Sequence, residues 1–462
     1  MVMHPQSAAD YNATRNSSDH PSFCFAPSVN MYFSQNGEVK ACCHNTQFTI
    51  GAYPQQSIKE IWNGKKAEEL RGHMRKYDLM HGCEVCELDM RLKGFSVVPA
   101  KHFDTLPRHA GFPSMMEFLL TNTCNLECVM CNGEFSSLIR KNREKLPPLQ
   151  SPYDKEFLNQ LEEFIPYLHE TRFSGSGEAF MVDMNYEIWE MIIRVNPKCL
   201  IMVQTNGTLL TERVKDILER GNFQIGVSLD SVNKANYEAI RLNANFNKVM
   251  DNIRWFSEYS ARKKSHFMLA MCVMRQNWSE LPDFISLCNQ LNAVAVLHKV
   301  WFPSGYALHN LPASQLKEIL ASLSSFTYSS PEFLQRGNLE QYRYFLSVLK
   351  SWMEDAAEKE KSVQSLNNIP ASRLLSLVTE RIKNHISRMD ATEEEKTQYL
   401  KTCSDKLEKV LEMLAPAERE GILQLLCLEN PAKIAEPLMQ QPVEALCTSA
   451  RKFLKQDNSK FS

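Results

Sequence analysis

The sequence predicts an α/β protein built around a partial (β/α)6 barrel, with a small cysteine-bearing module before it and a helical domain after it. Two observations support this prediction. Six short apolar segments alternate with helical patterns through the middle of the chain, and strand signals stop after about residue 303. Strands that alternate with helices favour parallel pairing through right-handed crossovers. Because a closed TIM barrel has eight such units, six predict a partial, TIM-like barrel.

The six expected barrel strands are short and apolar, and a helical segment follows each of the first five. In barrels of this kind, catalytic groups gather at the carboxyl ends of the strands. Residues in the loops that follow these strands are therefore the first candidates for a functional site. The predicted strands are Met116–Leu120, Thr171–Ser174, Leu200–Val203, Phe223–Leu229, His266–Val273 and Ala293–Trp301.

The regions outside the barrel have a different character. Asn36-Gly37 favours a hairpin turn between two short strands. One helix is expected from about Ser57 to Met74, where apolar residues recur near the helical period. The expected divisions are a flexible N-terminus (1–21), a cysteine-bearing module (22–92), a linker (93–115), the barrel (116–302) and a helical C-terminal domain (303–462).

Composition excludes several classes of protein. The chain has 462 residues, 44% hydrophobic and 23% charged, which fits an ordinary globular protein of two or three domains. The formal net charge of −2 argues against a nucleic-acid-binding surface. No apolar run approaches the ~18–20 residues that a bilayer span needs, and the polar N-terminus lacks a secretory signal. These features predict a cytoplasmic protein with neither nucleic acid nor membrane as a partner.

Fourteen cysteines are the most informative feature of the composition. In a reducing compartment disulfides are rare, so clustered thiols indicate metal binding or catalysis, whereas isolated ones are usually small buried hydrophobes. Two clusters therefore need a chemical explanation, and six scattered cysteines do not. The clusters are Cys24, Cys42, Cys43, Cys83 and Cys86, and then Cys124, Cys128 and Cys131.

The second cluster directly follows the first predicted barrel strand. Cys124, Cys128 and Cys131 have the spacing C-x3-C-x2-C. Three thiolates on one loop can hold three irons of a [4Fe–4S] cluster and leave the fourth iron open to another ligand. A structural zinc site is less favoured because it needs four ligands, and no fourth Cys or His lies near this loop.

This motif, in a barrel of this type, resembles the radical S-adenosylmethionine (SAM) superfamily, and the resemblance covers about residues 116–302. Further stretches resemble the family's SAM-contacting motifs and occur in the expected order after the later strands. They are Ser174-Gly175-Ser176-Gly177-Glu178, Gln204-Thr205-Asn206-Gly207, Ser228-Leu229-Asp230 and Tyr237-Glu238-Ala239-Ile240-Arg241.

The resemblance implies a role for each matched residue. Glu178 would meet the methionine ammonium, Ser228 and Arg241 the carboxylate, and Met130 would cover the adenine with its polarizable side chain. The family reduces SAM at the cluster, with an electron from a donor such as flavodoxin or ferredoxin. It thereby forms a 5′-deoxyadenosyl radical that abstracts hydrogen from the substrate. The implied cofactor contacts are Met130, Ser176, Gly177, Glu178, Thr205, Asn206, Ser228, Asp230 and Arg241.

The first cysteine cluster resembles the SPASM and twitch modules that accompany such enzymes. Twelve residues separate Cys24 from Gly37, and four separate Gly37 from Cys42. A closing pair, Cys83 and Cys86, completes the pattern, and the lack of further cysteines up to Ala100 favours the shorter, single-cluster twitch form. The resemblance implies an auxiliary [4Fe–4S] cluster held by Cys24, Cys42, Cys83 and Cys86. The glycine spacing favours Cys42 over Cys43, and a four-cysteine zinc site is the alternative.

The resemblance predicts a radical SAM oxidoreductase but leaves its substrate open. Our first hypothesis is an enzyme that cross-links, oxidises or epimerises a residue in a ribosomally synthesised peptide or protein, so that a precursor peptide is the expected partner. The second is a dehydrogenase or epimerase of a small carbohydrate or amino-acid-like metabolite. A non-catalytic iron–sulfur electron carrier is the third, which the open iron and the SAM motifs disfavour. The sequence identifies no catalytic acid or base.

Overall fold

The computed structural model divides the chain into two compact units, which we call the barrel unit and the helical unit. The barrel unit comprises Met1–Leu308 and Ile319–Val348, and the helical unit comprises His309–Glu318 and Leu349–Ser462. The structure describes all residues except 1, 2, 4, 16–19, 46, 92, 93, 96, 97, 327–332, 367, 368, 388, 390, 391, 430 and 459–462.

A single nine-stranded sheet organises the barrel unit, in the order β3-β2-β1-β4-β5-β6-β7-β8-β9. Strands β4 to β9 pair in parallel with their successive neighbours, which confirms the α/β class and the six-stranded partial barrel. The strands are β1 (Asn30–Phe33), β2 (Glu38–Lys40), β3 (Gly51–Ala52), β4 (Met115–Phe118), β5 (Glu170–Phe173), β6 (Leu200–Thr205), β7 (Phe223–Ser228), β8 (Phe267–Val273) and β9 (Ala293–Lys299).

Helices surround the sheet and form the whole of the helical unit. The first twelve are α1 (Pro5–Asn12), α2 (Ala26–Val29), α3 (Ile58–Trp62), α4 (Lys65–Arg75), α5 (Glu84–Arg91), α6 (Ser137–Asn142), α7 (Lys155–Glu162), α8 (Asp183–Val195), α9 (Glu212–Arg220), α10 (Lys234–Ile240), α11 (Phe246–Lys263) and α12 (Leu281–Gln290). The remaining seven are α13 (Ala313–Ser324), α14 (Phe333–Leu366), α15 (Ala371–Ile386), α16 (Glu393–Glu412), α17 (Pro416–Leu428), α18 (Pro431–Gln440) and α19 (Val443–Asn458).

The barrel core lies between the sheet and its outer helices. Trp189 of α8 is fully buried and makes edge-to-face contacts with Phe173 of β5 and Phe223 of β7. Residues that alternate with Phe173 along β5 point to the opposite face, because side chains alternate along a strand. Glu170 and Arg172 therefore face the barrel lumen, and the polar residues of the site come from this inner face.

The cysteine-bearing module contacts both edges of the open barrel. Its hairpin, β1 and β2, turns at Gly37, whose φ of +88° suits glycine. Strand β1 then pairs in parallel with β4, the first barrel strand. At the other edge, Lys299 on β9 forms an ion pair with Asp89 on α5, with Nζ and Oδ1 3.1 Å apart. The module thus spans the gap that six strands leave in the barrel.

Three local features differ from the sequence predictions. The single helix expected from Ser57 is two helices, α3 and α4, since the chain breaks at Asn63-Gly64 and Gly64 caps α4. The N-terminus expected to be flexible contains α1, with Tyr11 fully buried. The expected linker contains a 3-10 helix, Pro99–Asp104, which is anchored through an Arg15–Asp104 ion pair of 2.6 Å.

The second half of the chain also divides differently from the boundary expected at residue 303. Residues 319–348 belong to the barrel unit. There the buried Asn338 donates to the carbonyl of Ala293 and accepts from the amide of Ala295. It thus provides hydrogen-bond partners for the backbone at the outer edge of β9. The helical unit has its own apolar core, which includes Leu374, Val378 and Cys403. No helix among the described residues has the length and apolar character of a membrane span.

Candidate functional site

The loop after β4 carries Cys124, Cys128 and Cys131, all three partly exposed. Desolvation raises the pKa of Cys128 to about 12, although nearby Arg241 opposes the shift. Burial likewise raises the pKa of Cys131 to about 11. These thiols are therefore protonated at neutral pH, and metal binding would displace their protons. Three accessible sulfurs on one loop fit a cluster with one open iron.

Arg241 and Asp230 lie beside this loop at the ends of α10 and β7. Arg241 Nε is 2.7 Å from Asp230 Oδ2, and Arg241 Nη1 is 3.9 Å from Cys128 Sγ. The backbone amide of Cys272 donates to Asp230 Oδ1, and Asn277 donates to the Asp230 carbonyl. The structure thus brings two of the predicted SAM contacts together next to a cluster cysteine, with Asp230 positioning the guanidinium.

Glu178 is completely buried after β5. Its carboxylate accepts hydrogen bonds from Thr205 Oγ1 at 2.6 Å, from the amide of Asn206 at 2.7 Å and from the amide of Phe180 at 3.3 Å. Burial raises the pKa of Glu178 despite these hydrogen bonds, which oppose the shift. In this structure, the predicted SAM contacts Glu178, Thr205 and Asn206 therefore form one hydrogen-bond network. Through it, Glu178 fixes the end of β6.

Two further predicted contacts, Ser176 and Gly177, pack against the start of the cysteine loop. Ser176 Oγ donates to the Thr121 carbonyl at 3.1 Å. Gly177 has a φ of +64°, and a Cβ at this position would lie 2.5 Å from the Thr123 carbonyl oxygen. Glycine is required here both for its backbone conformation and for this close approach.

Asn206 joins the end of β6 to the cysteine loop. Its side-chain amide donates to Asn125 Oδ1 at 2.8 Å, and Asn125 in turn donates to Thr208 Oγ1 at 2.9 Å. Ser228, on β7, accepts from Gln204 at 2.9 Å. These hydrogen bonds hold the cysteine loop against the strand ends where the SAM contacts are predicted.

Met130, the predicted cover for adenine, packs against a small apolar cluster. The buried members of that cluster are Ile240, Met274 and Val300. Cys272 packs against the same cluster and lies within electrostatic range of Cys128. Cys272 is partly exposed, unlike the other isolated cysteines, which are buried as expected. It is therefore a residue of this site that the sequence alone did not indicate.

A cavity in the N-terminal module brings together four cysteines of the first cluster. Cys24, Cys42, Cys83 and Cys86 all line it, together with apolar side chains that include Phe103. Desolvation raises the pKa of Cys42 to about 12 and that of Cys83 to about 11. The four predicted auxiliary ligands thus converge on one enclosed space, which we call the four-thiol cavity.

The geometry of this cavity suits a cluster better than a single zinc ion. Four thiolates around zinc, at ~2.3 Å each, would place their sulfurs about 3.8 Å apart. Among the described residues, no three cysteines bring their sulfurs within 4.8 Å of one another. The four thiols are thus not arranged as a preformed zinc site, and four is the number of cysteines that a fully ligated [4Fe–4S] cluster needs.

Cys43 points away from the cavity and into the barrel lumen, where it donates a hydrogen bond to Glu117. Glu117 is buried and also accepts from Asn30 Nδ2 at 2.6 Å. Arg172, paired in register with Glu117, bonds Glu170 Oε1 through Nε at 2.5 Å. Sequence reasoning missed this group, although isolated charges within the apolar strands β4 and β5 were a usable signal.

Two histidines, His298 and His44, lie between the residues of the two sulfur sites in a chain of electrostatic influences. His298, in register with Cys272, is accessible, while the surrounding protein desolvates it and lowers its pKa. His44, next to Cys43, lies within electrostatic range of His298 and Arg172. Cys272 and His298 are thus neighbours on adjacent strands, and His298 and His44 are close enough to influence each other electrostatically.

Family comparisons agree with this architecture. Residues 118–288 match the Radical SAM superfamily, and residues 24–87 match SPASM, an iron–sulfur cluster-binding domain. The chain therefore contains a radical SAM domain, preceded in sequence by a SPASM-type iron–sulfur domain. A radical SAM domain implies a [4Fe–4S] cluster and SAM, and a SPASM domain implies auxiliary iron–sulfur binding. The cysteine sets described above fit both groups.

Individual relatives match only part of the chain. A GTP 3′,8-cyclase of Limosilactobacillus fermentum is 28% identical over 172 residues, covering 36% of this chain and 48% of the relative. A cysteine-type anaerobic sulfatase-maturating enzyme of Clostridium novyi is 30% identical over 162 residues, covering 32% and 41% respectively. The chain thus spans about half the length of these relatives or less.

A solved structure also resembles part of the fold. Streptococcus suis SuiB bound to the precursor peptide SuiA is 11% identical, with a TM-score of 0.33, covering 58% of this chain and 61% of that chain.

Proposed function

We propose that this protein is a radical SAM enzyme that modifies a residue in a ribosomally synthesised peptide or protein, by cross-linking, oxidation or epimerisation. The observation that carries the proposal is that the four predicted auxiliary ligands line one cavity, in a module whose strand β1 pairs with β4, the strand that precedes the Cys124–Cys128–Cys131 loop. When bound, SAM and its cluster supply a 5′-deoxyadenosyl radical that abstracts hydrogen. Cys24, Cys42, Cys83 and Cys86 would hold an auxiliary cluster, which would supply a second site of one-electron chemistry.

The chain's own residues position these groups. Arg241, oriented by Asp230, offers its remaining N–H groups to the SAM carboxylate. Glu178 holds the end of β6 through Thr205 and Asn206, so that this edge is preorganised before SAM binds. In the lumen, Glu117 and Arg172 place a buried acid and a cation where a substrate side chain would enter.

A peptide or protein substrate is favoured over a metabolite by two observations. Cys43 and His298 are accessible to solvent, as expected for a barrel that admits a side chain of a larger substrate. In addition, one partial relative is named for the maturation of sulfatases, which are proteins.

The first experiment counts iron and sulfide in anaerobically purified protein and in a Cys124/Cys128/Cys131→Ala variant. About eight irons per chain, falling to about four in the variant, are expected from two [4Fe–4S] clusters. About four irons that vanish in the variant would remove the auxiliary cluster and favour zinc at the four-thiol site.

The second experiment measures SAM cleavage to 5′-deoxyadenosine under a strong reductant. We expect wild-type cleavage to be stimulated by cysteine-containing peptides and to be absent in the triple variant. Stimulation by GTP or by a small sugar alone would replace the peptide proposal with a metabolite substrate. No cleavage by protein with about eight irons would favour a non-catalytic electron carrier.

A further inference from the structure

A cluster of two histidines and one aspartate lies in the N-terminal module, outside both sulfur sites. His73 is in the last turn of α4, and Asp78 and His81 are in the turn that follows. Among the described residues, this is the one group of three or more His, Cys, Asp or Glu side chains whose ligand atoms all lie within 4.8 Å of one another. We propose that His73, Asp78 and His81 bind a divalent transition-metal ion.

The distances bring the three ligand groups within reach of one ion, although the two imidazole rings, with centroids 3.6 Å apart, would have to turn apart to bind it. His73 Nδ1 is 3.1 Å from Asp78 Oδ2, and His81 Nε2 is 3.4 Å from the same oxygen. Ligands at ~2.0–2.1 Å from a tetrahedral zinc ion lie about 3.3 Å apart. Two imidazoles and one carboxylate form the three-ligand set of zinc sites that keep a fourth position for water. Imidazole also suits Cu, Fe and Ni, so the class of ion is transition-metal rather than Mg²⁺ or Ca²⁺.

The local backbone fixes this arrangement. Tyr77 has a φ of +56°, which ends α4 in a left-handed residue, and the amide of Asp78 then donates to the His73 carbonyl at 3.0 Å. Asp78 Oδ1 accepts from the amide of Met80 at 3.2 Å, so Oδ2 is directed to the imidazoles. On the other side, Asn45 Nδ2 donates to the His81 carbonyl at 2.8 Å.

The surroundings allow an ion to enter and add negative charge near it. The side chains of His73, Asp78 and His81 are 22%, 18% and 33% exposed, so the site is open to solvent on one side. Glu69 Oε1 lies 3.9 Å from His73 Nε2, the nitrogen opposite the one that faces Asp78. At this distance Glu69 adds negative charge near the second imidazole nitrogen without a hydrogen bond to it.

The position of this site gives it a structural role. His81 precedes Cys83 by two residues, and Met74, next to His73, lines the four-thiol cavity. A bound ion would tie the end of α4 to the loop that carries the closing cysteine pair. The site would thereby hold the wall of the auxiliary cavity in place, independently of the substrate of the barrel.

Zinc binding tests the proposal directly. Anaerobically purified holoprotein is treated with EDTA, dialysed against zinc sulfate and analysed by mass spectrometry of the metals. We expect about one zinc per chain in wild type and in the control His266→Asn, an exposed histidine outside the cluster, and none in His73→Asn/His81→Asn. X-ray absorption at the zinc edge should show nitrogen and oxygen ligands at ~2.0–2.1 Å.

Three outcomes would overturn the proposal. Wild-type protein that retains no zinc would make Asp78 a hydrogen-bond acceptor shared by the two imidazoles. Zinc that persists in the double variant, or a first shell with sulfur at ~2.3 Å, would place the ion on cysteines instead. Hydrogen exchange gives a second readout, since zinc should protect residues 76–83 in wild type and leave them unchanged in the double variant.

Discussion

Two adjacent cysteines, Cys42 and Cys43, have opposite surroundings in this protein. Cys42 lines the four-thiol cavity, whereas Cys43 is exposed and is hydrogen-bonded to Glu117 in the lumen. Substitution of Cys42 by alanine should remove a ligand and lower iron from about eight to about four per chain, whereas Cys43→Ala should keep all the iron. Iron and sulfide analysis of both variants checks this assignment, and the reverse result would make Cys43 the ligand.

The raised thiol pKa values predict how the apoprotein reacts. Desolvation raises the pKa of both Cys83 and Cys131 to about 11, so each stays protonated until strongly alkaline pH. Since only the thiolate reacts, labelling by iodoacetamide should be far slower than for free cysteine at pH 8, where ~0.1% of such a thiol is ionised. Its rate should rise about tenfold per pH unit up to pH ~10. Peptide mass spectrometry measures the labelling rate at each cysteine. A rate that reaches a plateau near pH ~8.5 would contradict the raised pKa values.

Residue spacing predicted which side chains belong to the site better than it predicted their contacts. The resemblance of the cysteine intervals to SPASM and twitch modules selects Cys24, Cys42, Cys83 and Cys86, and the structure brings these four to one cavity. The partners of Glu178 could not be predicted, because Thr205 and Asn206 come from the end of another strand. The paired charges of Glu117 and Arg172 depend in the same way on the register between β4 and β5.

At the level of elements, the N-terminal module is attached to both edges of the barrel. The ion pair between Lys299 and Asp89 is largely buried, with side-chain exposures of 17% and 3%, and Tyr344 also donates a hydrogen bond to Asp89. Substitution of Lys299 by methionine would leave a buried carboxylate without its cation. We expect a loss of about 3–5 kcal/mol in the free energy of unfolding, measured by urea denaturation of the anaerobic holoprotein.

A matched substitution controls for the loss of a lysine. Lys59 pairs with Glu163 on the surface, with side-chain exposures of 58% and 48%. Lys59→Met should therefore cost less than ~1 kcal/mol. Addition of Asp89→Asn to Lys299→Met should recover part of the loss, because the uncompensated charge is then removed. Equal effects of the two lysine variants would show that the β9 contact does not hold the module.

Helix and strand patterns predicted most elements of the barrel but not how the module joins it. The six strands follow from short apolar segments between helices, and each lies within a few residues of its expected position. The pairing of β1 with β4 was not predictable, because Asn30–Phe33 and Met115–Phe118 are far apart in sequence. The break between α3 and α4 depends on Gly64. A prediction from hydrophobic periodicity alone does not include the low helix propensity of glycine.

At the level of the whole molecule, the chain contains two units with separate apolar cores. Leu374 is fully buried in the helical unit, and Ile201 is fully buried on β6 of the barrel unit. Truncation of either side chain to alanine should cost about 2–5 kcal/mol, through lost burial and the cavity left behind. Because each residue serves a different core, we expect each substitution to destabilise its own unit.

Two signals separate these effects in thermal unfolding of the holoprotein. Iron–sulfur absorbance reports on the barrel unit, which contains all seven predicted cluster ligands, and far-ultraviolet circular dichroism includes the helices of the helical unit. Leu374→Ala should lower the midpoint temperature of a transition seen by dichroism and leave that of the absorbance transition unchanged. Ile201→Ala should lower the midpoint temperature of the absorbance transition. Since large proteins with several cores seldom unfold in one step, two transitions are expected. A single transition that moves equally in both variants would mean that the two cores unfold as one cooperative unit, so that the helical unit contributes directly to the stability of the cluster sites.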